Sequence, residues 1–245
     1  MNDTPLPADL AGVESPLEQD GFACLHASTT RALLEPYGLA DWAGFAASWN
    51  RLGLDRYMAD GGRYRRRRHA TYTVSAEAIE RKKHQPHYQS RDYNELNGGI
   101  ERWFRPVETT IGTHPALIAV LRLMRRLVTD LTPPDRRPDV WHVEIHQFRI
   151  EARAGEPGEP TPEGLHRDGV DWVLVLMVQR ENVASGETTI HDLHRRPVGH
   201  FTLTDPLDAA LVDDNRVYHG VTAVRPIDPA RPAWRDVLVV TFRHQ

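Results

Sequence analysis

The stretch "PEGLHRDGVDWVLVLMVQ", residues 162–179, joins a turn-like segment to the most β-prone run of the chain. The run 172–179 is almost wholly aromatic, β-branched or otherwise apolar, which is typical of a buried strand. Proline and glycine on its N-terminal side indicate a loop. Because His166 and Asp168 stand in that loop, the same stretch bears on both the fold and the chemistry of the protein.

Six further segments of the same character occupy the second half of the chain. They are short, rich in β-branched and aromatic residues, and separated by proline, glycine, aspartate or asparagine. They cover residues 140–152, 186–192, 200–203, 209–214, 216–224 and 235–243. Seven strands at this spacing are typical of a sandwich, jelly roll or barrel, and not of a doubly wound parallel sheet.

The first 135 or so residues show helical periodicity and loops. In 113–134 the apolar residues recur on one helical face, with Thr113 as the predicted N-cap and Pro133-Pro134 as the stop. Three arginines interrupt the apolar run, so this segment predicts a helix packed on a core and not a membrane span.

Length and composition limit the class of protein. We expect one domain over 1–245, with a mostly helical part over 1–135 and a β core that carries the metal site over 136–245. A formal net charge of −4 gives no overall attraction for nucleic acid or anionic lipid. The single cysteine, Cys24, excludes an internal disulfide and a thiolate zinc site. No export signal is recognisable, so we expect a cytoplasmic protein with a small-molecule substrate and no nucleic-acid or membrane partner.

The spacing His166-x-Asp168 carries little weight alone, because random placement of 13 histidines and 19 aspartates among 245 residues gives about one such pair. A turn with an exposed histidine explains it equally well. Non-haem Fe(II) enzymes, however, hold iron on two imidazoles and one carboxylate. Alternate residues of an extended segment point the same way, and a second jelly-roll hairpin would return His219 as the third ligand.

Four stretches together resemble a known family. They are "HQPHYQSRDYNELNGGIERWF" (84–104), "PEGLHRDGVDWVLVLMVQRENVASGETTIHD" (162–192), "LVDDNRVYHGVTAVRP" (211–226) and "RDVLVVTFR" (235–243). They are similar to the 2-oxoglutarate/Fe(II) dioxygenases of the L-isoleucine-hydroxylase-like group, bacterial enzymes that hydroxylate free L-amino acids. The resemblance covers about residues 84–243 and is far more specific than one His-x-Asp.

The resemblance implies a mainly β (α+β) fold, a cupin-like double-stranded β-helix or jelly roll with N-terminal helices packed on one sheet. It implies that His166, Asp168 and His219 form the catalytic metal site, with Fe(II), O2 and 2-oxoglutarate as cofactors and co-substrate. Arg235, near the start of the last strand, is the residue implied to bind the distal carboxylate of 2-oxoglutarate, which a planar guanidinium matches well. Arg225 and Arg243 remain alternatives. The implied activity is hydroxylation of an aliphatic side chain of a free L-amino acid, with release of succinate and CO2.

Several alternatives stay open at this point. The arginines of "GRYRRRRHATY" (62–72) suit a solvated edge, the phosphate track of a nucleic-acid-directed dioxygenase, or a contact with a substrate carboxylate. The segment 88–99 suits a substrate lid or a plain surface loop. Alternation along 142–146 places His142, Glu144 and His146 on one sheet face. A non-catalytic jelly-roll protein with a stress or regulatory role is a further alternative.

Overall fold

The computed structural model describes residues 10–244. Its helices are α1 (Ala11–Asp20), α2 (Ala27–Leu34), α3 (Trp42–Ala47), α4 (Thr109–Gly112) and α5 (Pro115–Leu131), with 3-10 turns at Glu35–Tyr37, Ser48–Arg51 and Pro134–Arg136. Its strands are β1 (Phe22–Leu25), β2 (Gly53–Leu54), β3 (Arg65–Val74), β4 (Ile79–Arg81), β5 (Trp141–Ala152), β6 (Trp172–Glu181), β7 (Val183–Ser185), β8 (Thr188–Asp192), β9 (Pro197–Phe201), β10 (Ala209–Asp213), β11 (Val217–Val221), β12 (Val224–Pro226) and β13 (Ala233–His244).

The strands form a jelly roll of two facing layers. The large antiparallel sheet has the order β1-β10-β6-β13-β5-β3-β2, with β4 paired to the end of β3. The opposite layer contains the sheet β11-β8-β9 and the pair β12-β7. Apolar residues of both layers meet between the sheets, for example Val173 and Val212 with Ile190 and Val217. The predicted jelly roll is confirmed.

The helices cover the outer face of the large sheet. Buried residues of α5, such as Leu117 and Leu121, belong to the same core as Val143, Ile145 and Val240 of the central strands. The predicted packing of N-terminal helices on one sheet is therefore observed. None of the helices within residues 10–244 is long and apolar enough to cross a membrane.

The cap of α5 differs from the predicted one. His114, not Thr113, is the N-cap, and its Nδ1 accepts a hydrogen bond from the backbone N–H of Ala116 at 3.2 Å. An imidazole nitrogen supplies the acceptor that the first helical turn requires. The helix ends at Leu131, before the proline pair, as predicted.

The prediction of helix and loop over the first 135 or so residues misses the strands β1 to β4. The main omission is β3, a ten-residue strand that lies between β5 and β2 in the large sheet. Its alternation is real, but the buried positions of its first half carry Arg65, Arg67 and His69 instead of apolar side chains. A search for apolar alternation cannot detect such a strand. The arginine run is consequently neither a loop nor a solvated edge.

Candidate active site

A cavity of about 280 Å³ lies between the two layers of the jelly roll. Its walls come from the inner faces of both layers, from the loop 160–170 and from the segment 87–94. The predicted site residues His166, Asp168, His219 and Arg235 all line it.

Two backbone hydrogen bonds hold His166 beside His219. The N–H of each residue donates to the carbonyl of the other, at 3.0 Å and 2.9 Å. This isolated bridge adds the loop residue His166 to the edge of β11, which places the two imidazole rings 4.5 Å apart. The hairpin return that the sequence suggested for His219 therefore exists.

Asp168 completes a group of three potential metal ligands. Its Oδ1 lies 3.8 Å from His166 Nε2, and its Oδ2 lies 3.6 Å from His219 Nε2. One donor atom from each residue lies within 4.8 Å of the others. Bonds of about 2 Å from a common ion require donor atoms roughly 3 Å apart, so a small closure would accommodate one metal ion. Two imidazoles and one carboxylate fit an Fe(II) ion that keeps open coordination positions.

The hydrogen bonds around these side chains fix their orientation. His166 Nδ1 lies 3.0 Å from the carbonyl of Gly164, which leaves Nε2 facing Asp168. The carboxylate of Asp214 accepts the backbone N–H groups of Asp168, Gly169 and Val170 at 2.9, 2.7 and 3.1 Å. Such supporting contacts hold metal ligands in place before an ion binds.

Burial and charge set the protonation of the two histidines. Burial lowers the pKa of His219 to about 4, so its ring is neutral near pH 7, as a metal ligand must be. Burial also lowers the pKa of His166, but the carboxylates of Asp168 and Glu163 outweigh it and the pKa is raised. A cation is thus favoured at this point of the cavity.

Arg235 lies farther along the cavity and is 2% exposed. Its Nε and Nη2 have no hydrogen-bond partner among residues 10–244. The adjacent Asp236 pairs with Arg149 at 2.7 Å and not with Arg235. Burial lowers the pKa of Arg235 to about 10, and the nearby Arg180 acts in the same direction. A guanidinium with free donors in a cavity is suited to bind a carboxylate.

The two alternative arginines lie elsewhere. Arg225 is exposed on β12 and does not contribute to the cavity lining. Arg243 does line the cavity, but it is exposed near the other end of β13 from Arg235.

A family model described as "2OG-Fe dioxygenase" matches residues 46–241. The chain belongs to the 2OG-Fe dioxygenase family. The predicted family is confirmed, and Fe(II), 2-oxoglutarate and O2 are the cofactor and co-substrates that membership implies.

Two proteins of similar sequence and one solved structure illustrate this relationship. The chain is 27% identical over 160 residues to an L-isoleucine-4-hydroxylase of Bacillus thuringiensis, a match that covers 65% of each chain. It is 29% identical over 168 residues to a 3(1)-hydroxy-L-isoleucine 4-dioxygenase of Pantoea ananatis, covering 66% of this chain and 65% of that one. The crystal structure of a bsmA homolog from Methylobium petroleophilum PM1 superposes with a TM-score of 0.85 at 36% identity, covering 99% of this chain and 96% of the other.

A second polar group lies on the inner face of β5. The carboxylate oxygens of Glu144 lie 3.0 Å from His69 Nε2, 2.6 Å from His87 Nδ1 and 3.3 Å from His142 Nε2. The face that alternation assigned to His142, Glu144 and His146 therefore lines the cavity. His69, His87, Glu144 and His146 also have ligand-type atoms within 4.8 Å of one another.

This second group is better suited to hydrogen bonding than to metal binding. Arg67 Nη2 donates to His146 Nδ1 at 2.7 Å, so a guanidinium already occupies the position beside that ring. A divalent ion there would meet the repulsion of this buried cation. Three imidazole nitrogens around the Glu144 carboxylate instead form a buried hydrogen-bonded network, in which His69 Nδ1 has no partner among residues 10–244.

The segment suggested as a lid covers one side of the cavity. Tyr88, Gln89 and Asn94 line it, and Gln89 Nε2 donates to the carbonyl of Asp168 at 3.1 Å. Asn94 Nδ2 in turn donates to Gln89 Oε1 at 3.1 Å. These contacts connect the segment directly to the loop that carries His166 and Asp168.

Sequence reasoning did not single out three residues of this cavity, His87, Arg102 and Glu163, nor His69, which contacts Glu144 of the cavity wall. They come from different loops and strands, and no spacing links them. The one available signal was the alternation of Arg65, Arg67 and His69, once β3 is recognised as a strand.

Proposed function

We propose that this protein is a 2-oxoglutarate- and Fe(II)-dependent dioxygenase that hydroxylates an aliphatic side chain of a free L-amino acid and releases succinate and CO2. One observation carries the proposal: three convergent ligand side chains and a buried arginine with free donors line the same cavity. The two curated relatives, which are named for isoleucine and hydroxyisoleucine, support the substrate class.

His166, Asp168 and His219 would hold Fe(II) through the Nε2 atoms of the two histidines and one carboxylate oxygen. When bound, iron supplies the activation of O2 that no protein side chain provides. The task of the chain is to keep three donors on one side of the ion, which the 166–219 bridge and the Asp214 contacts accomplish.

Arg235 would bind the distal carboxylate of 2-oxoglutarate. Its free Nε and Nη2 can donate two parallel hydrogen bonds to one carboxylate group. Val237 and Val239 follow Arg235 at alternate positions of β13, line the cavity and give this wall an apolar surface. The position of Arg225, outside the cavity, favours Arg235 for this role.

The shape and charge of the site favour a small substrate over nucleic acid. Arg65 and Arg67 face the cavity, whereas Arg66 pairs with Glu151 at 2.6 Å and Arg68 with Glu108 at 3.2 Å. The arginine run is thus divided between the two faces of β3 and offers no continuous row of free cations to phosphates. A complete ligand set argues against a non-catalytic role.

The proposal is tested by succinate formation in air from 2-oxoglutarate and Fe(II), across a panel of free L-amino acids. We expect one or a few aliphatic amino acids to stimulate succinate formation, and mass spectrometry to show one added oxygen in the amino acid. His166→Ala should abolish both signals because it removes a ligand. His191→Ala, a matched histidine on β8 outside the triad, should retain them.

Two results would contradict the proposal. Succinate formation that no amino acid stimulates above the basal level would remove the amino-acid substrate class. Unchanged turnover in His166→Ala would remove the assigned iron site.

A further inference from the structure

Three arginine side chains form a buried cluster in the cavity wall, which we call the arginine cluster: Arg65, Arg67 and Arg102. Their exposed fractions are 5%, 5% and 2%, and all three line the cavity. The guanidinium carbon of Arg67 lies 3.6 Å from the centre of the Phe104 ring and 4.4 Å from that of Phe148. None of the three has a part in the iron or 2-oxoglutarate sites described above.

Direct ion pairs to the arginine cluster are few, although the carboxylates of Glu144 and Glu163 act on it from farther away. Within residues 10–244, Asp55 is the one carboxylate at ion-pair distance, 2.8 Å from Arg65 and 3.7 Å from Arg67. Arg102 has no ion pair in the same part of the chain; its Nη2 donates to the neutral Gln89 Oε1 at 3.3 Å. Buried charges without a counter-charge are strongly unfavourable, so an anionic ligand would be stabilised here.

Free donors of the arginine cluster give the same indication. Arg65 Nη2, Arg67 Nε and Arg102 Nε have no hydrogen-bond partner among the described residues. Burial lowers the pKa of both Arg67 and Arg102; Arg65 acts in the same direction, and the carboxylates of Asp55 and Glu144 oppose it. Since buried polar groups are normally paired, these N–H groups need a ligand or water to complete them.

The arginine cluster lies close to the iron ligands. Gln89 accepts from Arg102 at one end of its amide and donates to the carbonyl of Asp168 at 3.1 Å from the other end. One side-chain amide therefore spans the gap between Arg102 and the metal-binding loop. An amino acid whose carboxylate contacts Arg102 has its own side chain within reach of that loop.

We propose that Arg67 and Arg102 bind the α-carboxylate of the substrate and so select free amino acids over amides and internal peptide residues. That the ligand is an amino acid rests on the proposed function. That its carboxylate binds at this point of the cavity rests on the arginine cluster. Arg65 holds Asp55 in place by a hydrogen bond of 2.8 Å, and the Asp55 carboxylate lowers the net positive charge that Arg67 experiences.

The test compares each amino acid with its carboxamide, which keeps the side chain and the ammonium group but loses the carboxylate charge. Affinities of L-isoleucine, L-leucine, L-methionine and their amides are measured by anaerobic calorimetry with Fe(II) and saturating 2-oxoglutarate. Loss of a charge-assisted pair of hydrogen bonds corresponds to a preference of about 100-fold for the acid in the wild type. In Arg67→Gln or Arg102→Gln this preference should fall at least tenfold.

Arg66→Gln is the matched control, because Arg66 precedes Arg67 on β3, pairs with Glu151 and does not line the cavity. It should keep the acid-to-amide preference of the wild type. The preference is a ratio of two ligands on one protein, so a general loss of folded protein cancels from it. Thermal unfolding of each variant checks the fold independently, and Arg102→Gln serves if Arg67→Gln does not fold.

A separate arm uses acetate, butyrate and hexanoate, again with 2-oxoglutarate saturating. An unchanged acid-to-amide preference in both glutamine variants overturns the inference while leaving amino-acid hydroxylation intact. If no amino acid binds or turns over, the proposed function fails. In that case, monocarboxylate binding that is lost in Arg67→Gln still supports a carboxylate site at the arginine cluster. If no monocarboxylate binds either, the inference of a carboxylate site is overturned as well.

Discussion

At the scale of single residues, unpaired hydrogen-bond donors distinguish the candidate arginines more clearly than their positions in the sequence do. Arg235 and Arg225 were both compatible with the sequence. Arg235 is buried with two unpartnered nitrogens within the described chain, whereas Arg225 is exposed and outside the cavity. Only a side chain that faces the cavity can exchange its missing hydrogen bonds for those of a ligand.

Arg235→Ala should raise the apparent KM for 2-oxoglutarate by about 10- to 100-fold, since a lost hydrogen bond to a charged group is worth about 1.5–3 kcal/mol. The effect on kcat should be smaller, because the alanine leaves the three iron ligands in place. Steady-state succinate formation at varied 2-oxoglutarate measures both constants. Arg225→Ala is the control and should behave as the wild type. A wild-type KM in Arg235→Ala would transfer the role to Arg243.

At the scale of elements, the proposed metal site depends on how the loop with His166 and Asp168 is attached to the sheet. The three backbone N–H groups of residues 168–170 converge on the carboxylate of Asp214, at the end of β10. Asp214 is 1% exposed, and burial together with the nearby Asp168 carboxylate raises its pKa. The loop therefore keeps its shape through a side chain that touches no ligand atom directly.

Asp214→Asn should weaken Fe(II) binding by about 10- to 100-fold, as removal of supporting contacts around metal ligands typically does. An asparagine has one acceptor oxygen and cannot satisfy three N–H groups equally. Calorimetric titration of the metal-free protein with Fe(II) under anaerobic conditions measures the change. Asp213→Asn is the control, because the Asp213 carboxylate accepts the backbone N–H of Asn215 and not those of residues 168–170. Equal affinity in both variants would show that Asp214 does not position the ligands.

Strands β5, β6, β8 and β10 illustrate what the sequence could predict, because their β-branched and other apolar residues are largely buried in the folded chain. Strand β3 shows the limit. The inward positions in its first half are occupied by arginine and histidine, so β3 lacks the apolar alternation by which a strand is predicted. Two of these residues, Arg65 and Arg67, line the cavity. The grouping of His166, Asp168 and His219 followed from spacing and resemblance. The grouping of Arg67 with Arg102, or of His87 with Glu144, depends on contacts between distant segments that periodicity does not encode.

At the scale of the whole molecule, the jelly roll buries a polar interior that should make its stability depend on pH. Glu144 and the histidines around it lie between the layers, and the pKa of His87 is clearly lowered. Burial lowers its pKa from 6.5 to about 4; the nearby Arg67 and Arg102 act in the same direction, and the hydrogen bond to Glu144 opposes them. His69 and His146, which face it, have lowered pKa values for the same first reason, burial.

Between pH 6.5 and about 4 the unfolded chain binds a proton at position 87 that the folded chain does not bind, so unfolding becomes easier as the pH falls. The shift corresponds to about 3 kcal/mol at most, lost progressively through that window. Urea unfolding of the wild type at several pH values should show this slope, and His87→Gln should reduce it because glutamine does not titrate. His84→Gln replaces an exposed histidine nearby and should keep the wild-type slope. An equal slope in His87→Gln would mean that this ring is protonated in the folded protein, and that the interior tolerates more positive charge than its three buried arginines suggest.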